Sequence, residues 1–442
     1  MRLSHFARVF RREDIVCLYH QFLMERVYMD AALLDKLQES ISDIDPMIFS
    51  DLRERGMLVG NDFEEEAFLR DFVQKHSACT PEITTCYLFQ TRACNFACKY
   101  CYVSSPDQST PKMNLEVAKT GIDFFLKQTN GVKSGTKRTL VHYGGEPLIN
   151  YGVVKISTEY AKEEMRSRGL DLETVVVTNG SLINDEMAHF FHEQDVWISL
   201  SIDGPEEIHN KMRTYGNGRG TFSDVIRGLN ILRKFDCNVL VTCSVGTHNV
   251  NRLPEIVEYF HNDLKIDGVK LNPISCPPEL NVEGEAALEE FVDKVIGAFA
   301  VARKLGMYEE TIMRRVKAFV EKEFYRASCG AVGNQLIVFP DGAVGPCHSL
   351  GSASFLTGSV FERKDLRYDS VFGEWNKRLT LNMEECKKCE AIAICGGGCP
   401  LSSFIHDGTI WAVDKRTCSL VKRLLAWLIW NLYDLEQGSD QR

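Results

Sequence analysis

Apolar and polar positions fall into three successive patterns along the chain, and the middle one is the most regular. Short apolar runs recur at 82–90, 139–143, 174–178, 196–202, 238–245 and 268–273. Each is short for a helix and apolar enough for a strand buried on both faces. Segments of helical spacing lie between them, at 113–127, 153–168, 185–194, 222–235 and 253–260. Six βα units of this spacing predict an α/β fold over residues 81–305, with a parallel sheet curling into a partial or full barrel. In such barrels the chemistry gathers at the C-terminal ends of the strands.

The flanking patterns differ. Residues 1–80 carry β-like runs at 6–10, 15–19 and 26–29, then helical segments at 33–40 and 46–56. The second of these stops at Gly56 before a short apolar run, and an acidic helix follows at 62–76. This predicts a small α+β domain of winged-helix type. Residues 306–442 read as loop- and cysteine-rich, closed by a helix over 420–435. No repeat of fixed period is present.

Composition narrows the function. A chain of 442 residues, 44% hydrophobic and 25% charged, is globular and long enough for two or three domains. No run of 18 apolar residues appears, and the basic N-terminus lacks the apolar core of a signal peptide, so a cytoplasmic protein without a membrane partner is expected. The net charge of −10 disfavours a nucleic-acid partner. In a reducing compartment 16 cysteines do not form a disulfide framework, and clustered ones point to metal ligation.

Ten of them cluster. TRACNFACKYCYV follows the first barrel strand and places Cys94, Cys98 and Cys101 as CxxxCxxC. A 4Fe–4S cluster ordinarily takes four thiolates; three in one loop leave an iron for a small molecule to chelate. Zinc is the plainer alternative, but its structural sites want four ligands in CxxC-type pairs. The stretch resembles the radical SAM superfamily, whose hallmark is this loop after the first strand of a partial (β/α)6 TIM-like barrel. HYGGEP, ending the second strand, holds Gly144, Gly145 and Glu146. In the family this motif meets the methionine amino group of S-adenosylmethionine: glycines allow close backbone approach, and a carboxylate suits an ammonium. The resemblance also implies cofactor contacts at Asn179, at Ser201 for the ribose, at Arg213 for the carboxylate and at Tyr100 for the adenine. Asp203, in SLSIDGPEEIHNKMR, is a candidate catalytic carboxylate, with a strand-end turn as the equal alternative. The implied chemistry is reductive cleavage of S-adenosylmethionine to a 5′-deoxyadenosyl radical that abstracts hydrogen from an unactivated carbon. An electron donor such as flavodoxin or ferredoxin is implied with it.

The second cluster is Cys329, Gly342-x4-Cys347, Cys386-xx-Cys389-x5-Cys395-xxx-Cys399 and Cys418. Alone, the four-cysteine run fits zinc as well as iron. Together the seven resemble the SPASM extension of radical SAM enzymes, which implies two auxiliary clusters and three 4Fe–4S clusters in all. Cys329, Cys347 and Cys399 would serve the first auxiliary cluster, and Cys386, Cys389, Cys395 and Cys418 the second. Such clusters suit removal of one electron from a substrate radical. Seven cysteines for eight places imply an open iron on the first, or a ligand from outside the motif, for which Cys276 is the candidate. The remaining cysteines read as small core residues.

SPASM enzymes act mostly on peptides and proteins. In the sulfatase-maturing branch an aspartate base follows the second SPASM cysteine; here His348 stands in that place, so it is the candidate base while the branch itself fits less well. Another branch crosslinks ribosomally made peptides, and its members often begin with a small domain that grips a leader peptide as an added strand. The reading is therefore a peptide maturase that forms a cyclophane-type or thioether crosslink in a precursor bound through its leader. A formylglycine-forming enzyme, a non-catalytic multi-cluster electron carrier and a tRNA-modifying enzyme are the alternatives.

Overall fold

The computed structural model describes residues 1–77, 80–103, 110–129, 135–274, 285–349, 355–362 and 364–438. Cys79 and Cys276 lie outside them. The chain divides into two compact units. The first joins residues 1–79 with 312–329 and 377–442, and the second holds 80–311 and 330–376.

In the first unit β1 (Arg2–Leu3) pairs with β5 (Leu58–Val59), while β2 (Ala7–Arg12), β3 (Ile15–His20) and β4 (Arg26–Asp30) form an antiparallel sheet in that order. Strand alternation assigns its faces. Val16, Leu18 and Met29 pack on Leu34 and Leu37 of α1 (Ala31–Glu39) and on Leu52 of α2 (Pro46–Glu54). Tyr28 points the other way, to Trp430 and Tyr433 of the C-terminal helix Lys415–Glu436, and its hydroxyl donates to the Ile429 carbonyl at 2.6 Å. The Asp45 carboxylate caps α2 by accepting from the Met47 N–H. The acidic helix α3 (Asp62–Ser77) follows.

The second unit is the α/β body. Its strands β6 (Thr85–Phe89), β7 (Arg138–Tyr143), β8 (Leu172–Thr178), β9 (Val196–Ser201), β10 (Val239–Val245) and β11 (Gly268–Pro273) are parallel neighbours in chain order. Between them run α4 (Leu115–Gln128), α5 (Tyr151–Ser167), α6 (Asp185–Glu193), α7 (Glu206–Met212), α8 (Phe222–Lys234) and α9 (Leu253–Asn262). The long α10 (Glu285–Lys304) leads to β12 (Tyr308–Glu309), which extends the sheet beyond β11. At the other edge β13 (Gln335–Val338) lies parallel to β6 and turns back as β14 (Val344–Gly345). The nine strands run β12-β11-β10-β9-β8-β7-β6-β13-β14 without closing, which is a partial barrel.

β6 shows why the run is continuously apolar. Cys86 and Leu88 pack under Val117, Ile122 and Phe125 of α4, together with Leu336 and Val338 of β13. Tyr87 and Phe89 face the opposite side with Phe339. Two features depart from the sequence reading of a loop-rich region after 306. Helix α11 (Glu310–Glu321) forms because Ile312, Arg315, Ala318 and Phe319 recur on one buried face, although Glu310, Arg314, Lys317 and Glu321 are charged. Residues 330–376 go with the barrel because β13 pairs with β6. Among the described residues no helix is long and apolar enough to cross a membrane.

Candidate active site

Cys94, Cys98 and Cys101 share the loop after β6. The loop is tied down by its backbone: Ala97 N–H donates to Thr214 O at 2.7 Å and Lys99 N–H to Met212 O at 3.0 Å. The Cys94 sulfur accepts from Phe96 N–H at 3.4 Å and from the Asn179 amide at 3.8 Å. Burial pushes the Cys94 thiol up to about 12 and the Cys98 thiol up to about 11, the latter against the opposing charge of Arg213. Thiolates in this setting need a cation beside them, which suits a metal-binding loop. Among the described residues no three cysteine sulfurs lie within 4.8 Å of one another. Three thiols in one loop leave a fourth metal position without a donor from that loop, which fits an iron–sulfur group that keeps one iron open better than a four-ligand structural zinc.

The GGEP motif packs directly on that loop. A Cβ on Gly144, whose φ is +143°, would stand 2.4 Å from Thr91 O, and one on Gly145 would stand 2.3 Å from Ala93 O. The glycines are thus required by the approach of this chain's own backbone, with Gly145 N–H donating to Thr91 O and Glu146 N–H to Ala93 O. The Glu146 carboxylate is fully buried and accepts from Thr178 Oγ1 at 2.7 Å, Asn179 N–H at 2.8 Å and Leu148 N–H at 3.0 Å. Burial raises its pKa to about 7 against the pull of those three donors. Much of the carboxylate that the resemblance aims at an ammonium therefore serves to join the ends of β7 and β8. Asn179 also bonds Asn95 at 3.0 Å, which ties the β8 end to the cysteine loop.

At the ends of β9 and β10 a charged pair is buried. Asp203 Oδ2 accepts from the Tyr100 hydroxyl at 2.5 Å and Arg213 Nε at 2.9 Å, and Oδ1 accepts from Arg213 Nη2 at 3.1 Å and Ser244 N–H at 3.0 Å. Burial by itself would raise the Asp203 pKa, but the Arg213 charge and these bonds outweigh it and hold the carboxyl below its ordinary value. All four acceptor directions of the carboxylate are filled, so Asp203 orients Arg213 and Tyr100. The Arg213 guanidinium also lies 5.3 Å from the Tyr100 ring. Ser201 ends β9, partly buried. One neighbour was missed in the sequence: His248, whose ring stacks on Tyr100 at 6.1 Å with Nε2 3.9 Å from Asp203 Oδ2. Among the described residues neither of its ring nitrogens has a hydrogen-bond partner. Its only sequence signal is its place just after β10.

His348 follows Cys347 past β14. Its Nδ1 lies 3.1 Å from the Tyr102 hydroxyl and 3.0 Å from Ser349 Oγ, and its ring packs on Tyr143 at 4.5 Å and on Tyr87 at 5.4 Å. The Tyr102 and Tyr143 hydroxyls are 2.6 Å apart. Burial, then the Lys270 charge, lowers the His348 pKa to about 4, so the ring is neutral near pH 7. In the first unit, Cys386 shares its electrostatic surroundings with Cys395, Cys389 and Cys418, and Cys399 does so with Cys329. Cys347 belongs to the second unit.

An α/β partial barrel with a three-thiol loop above its first strand, laced to a GGEP turn, defines a class. Residues 88–260 match the Radical SAM superfamily, and the protein carries a radical SAM domain. That fold implies a 4Fe–4S cluster and S-adenosylmethionine. The radical SAM cyclopropyl synthase TigE of Paramaledivibacter caminithermalis is 24% identical over an alignment of 433 residues that covers 92% of this chain and 86% of that protein. A cysteine-type anaerobic sulfatase-maturating enzyme of Clostridium perfringens is 28% identical over 329 residues, covering 69% and 85% of the two chains. Streptococcus suis SuiB, solved with its precursor peptide SuiA, superposes with a TM-score of 0.55 at 16% identity over 94% of this chain and 99% of its own.

Proposed function

We propose that the protein is a peptide maturase that installs an oxidative crosslink, through a carbon–carbon or thioether bond, in a ribosomally made precursor. The observation that carries the reading is the Tyr102–His348 contact at 3.1 Å. Tyr102 adjoins Cys101 of the radical loop, and His348 adjoins Cys347 of the auxiliary set. The contact supports hydrogen abstraction and the removal of an electron and a proton at one place in the barrel, as a crosslink requires. The relatives that match beyond the barrel, over more than nine-tenths of this chain, support it; one of these is a cyclopropyl synthase and another was solved with a precursor peptide.

When bound, the groups these residues would hold supply a hydrogen-abstracting radical from S-adenosylmethionine and, at two auxiliary clusters, a sink for one electron. Cys94, Cys98 and Cys101 hold the radical-generating cluster. Arg213, fixed by Asp203, and Tyr100 orient the cofactor. Tyr87, Tyr143 and Tyr102 line the approach to His348, which is neutral and takes the proton released as the substrate carbon is oxidised. Residues 1–80 receive the leader peptide, for which the edge strands β2 and β4 offer unpaired backbone.

The test uses the full-length protein, reconstituted anaerobically with iron and sulfide and given S-adenosylmethionine, a reductant and candidate precursor peptides from short open reading frames neighbouring its gene. Loss of two hydrogen atoms from the peptide, with 5′-deoxyadenosine formed in step, is expected. 5′-Deoxyadenosine without any change in peptide mass would refute the reading.

A further inference from the structure

Arg378 in the first unit is a buried charge that makes no ion pair among the described residues, although the Asp414 carboxylate acts on it together with the cluster cysteines. It is completely buried. Its Nε donates to Ile410 O, Nη1 to Gly397 O at 2.8 Å, and Nη2 to Ser403 Oγ at 3.0 Å and Ala412 O at 3.1 Å. Neutral acceptors thus satisfy its donors, and among the described residues no carboxylate forms an ion pair with it. A guanidinium cannot shed its proton to escape burial, so its position demands an anion close by. The groups that feel its charge are Cys399, Asp414, Cys329 and Cys386, which include cysteines of both auxiliary sets.

The turn it holds lies between those sets. Gly396, Gly397 and Gly398 all have left-handed backbone, with φ of +66°, +80° and +72°, and they separate Cys395 from Cys399. Three such residues in succession are open only to glycine at little cost. Arg378 clamps the middle carbonyl, while Ser328 N–H donates to Gly396 O at 2.9 Å and Ser328 Oγ to Gly398 O at 3.0 Å. Ser328 is the neighbour of Cys329, so the same turn draws Cys329 and Cys399 of the first auxiliary set together.

We propose that Arg378 is a positioning residue shared by the two auxiliary cluster sites: it fixes the 396–398 turn, and its buried charge raises the reduction potential of both clusters. The inference rests on the auxiliary clusters of the proposed function. A cluster gains negative charge when reduced, and a fixed cation in a low-dielectric interior favours that state.

The test is an EPR-monitored redox titration of the reconstituted full-length protein, with iron and sulfide counted in each sample. Wild-type iron for one cluster only would overturn the auxiliary reading itself, apart from any role of Arg378. With auxiliary iron present, Arg378→Gln is expected to move both auxiliary potentials to more negative values and leave the radical-cluster signal in place. Arg378→Lys, which keeps the charge, should stay near wild type. Should Arg378→Gln lose auxiliary iron while Arg378→Lys retains it, the charge is again what the sites require. Unmoved potentials in Arg378→Gln, or equal loss of auxiliary iron in both variants, would overturn the proposal.

Discussion

Replacing Asp203 by Asn tests how the cofactor end of the barrel is organised. The substitution keeps size and shape but removes a fully buried negative charge that receives four hydrogen bonds, two of them from Arg213. Arg213, only 6% exposed, is left as an uncompensated cation. Breaking one side of such a pair costs about 3–5 kcal/mol, which in a unit of this size lowers Tm by on the order of 10 °C. The measurement is thermal unfolding of Asp203→Asn, Arg213→Met and the double variant, with S-adenosylmethionine binding followed in parallel. Because the pair acts as one, the double variant should cost less than the sum of the singles by about 1 kcal/mol or more. The pH dependence has a definite sign. The folded-state pKa of Asp203 lies below the ordinary value near 3.9. The stabilisation is therefore fully present above that value and lost only as pH falls through the folded pKa, so the cost of Asp203→Asn should be the same from about pH 6 to 8. Strict additivity, or a Tm shift of less than about 2 °C, would refute the reasoning.

Two further outcomes follow from the same geometry. Gly145→Ala places a Cβ 2.3 Å from Ala93 O and must displace the cysteine loop; the variant should lose the iron of the radical cluster, counted after reconstitution, while keeping its auxiliary iron. His348→Gln removes the proposed proton acceptor and leaves the three thiols of the radical loop in place, so the ratio of modified peptide to 5′-deoxyadenosine should fall by about 10²-fold or more, with 5′-deoxyadenosine still formed.

Much of the barrel was legible in the sequence because its strands are buried on both faces and its helices bury one. The runs at 174–178 and 268–273 became β8 and β11 with little change of boundary. The three-thiol loop and GGEP were legible because fixed spacings in one short segment survive folding unchanged. What was hidden depends on pairing between distant segments. β13 was obscured because three apolar residues in a cysteine-rich stretch carry no periodicity, and only β6 gives them a place. The bond of Asp203 to Arg213 links residues ten apart that the sequence reading gave separate roles. The same holds for Arg378, an arginine with no motif around it, and for His248, one histidine in a loop.

The central claim, that this chain generates a radical with Cys94, Cys98 and Cys101, is tested most directly by one assay. Wild type and the variant with all three cysteines changed to alanine are reconstituted, reduced and given S-adenosylmethionine, and 5′-deoxyadenosine is quantified alongside bound iron. Cleavage by the wild type and none by the variant, with the iron of only one cluster lost, is the predicted result; undiminished 5′-deoxyadenosine in the variant would contradict the account.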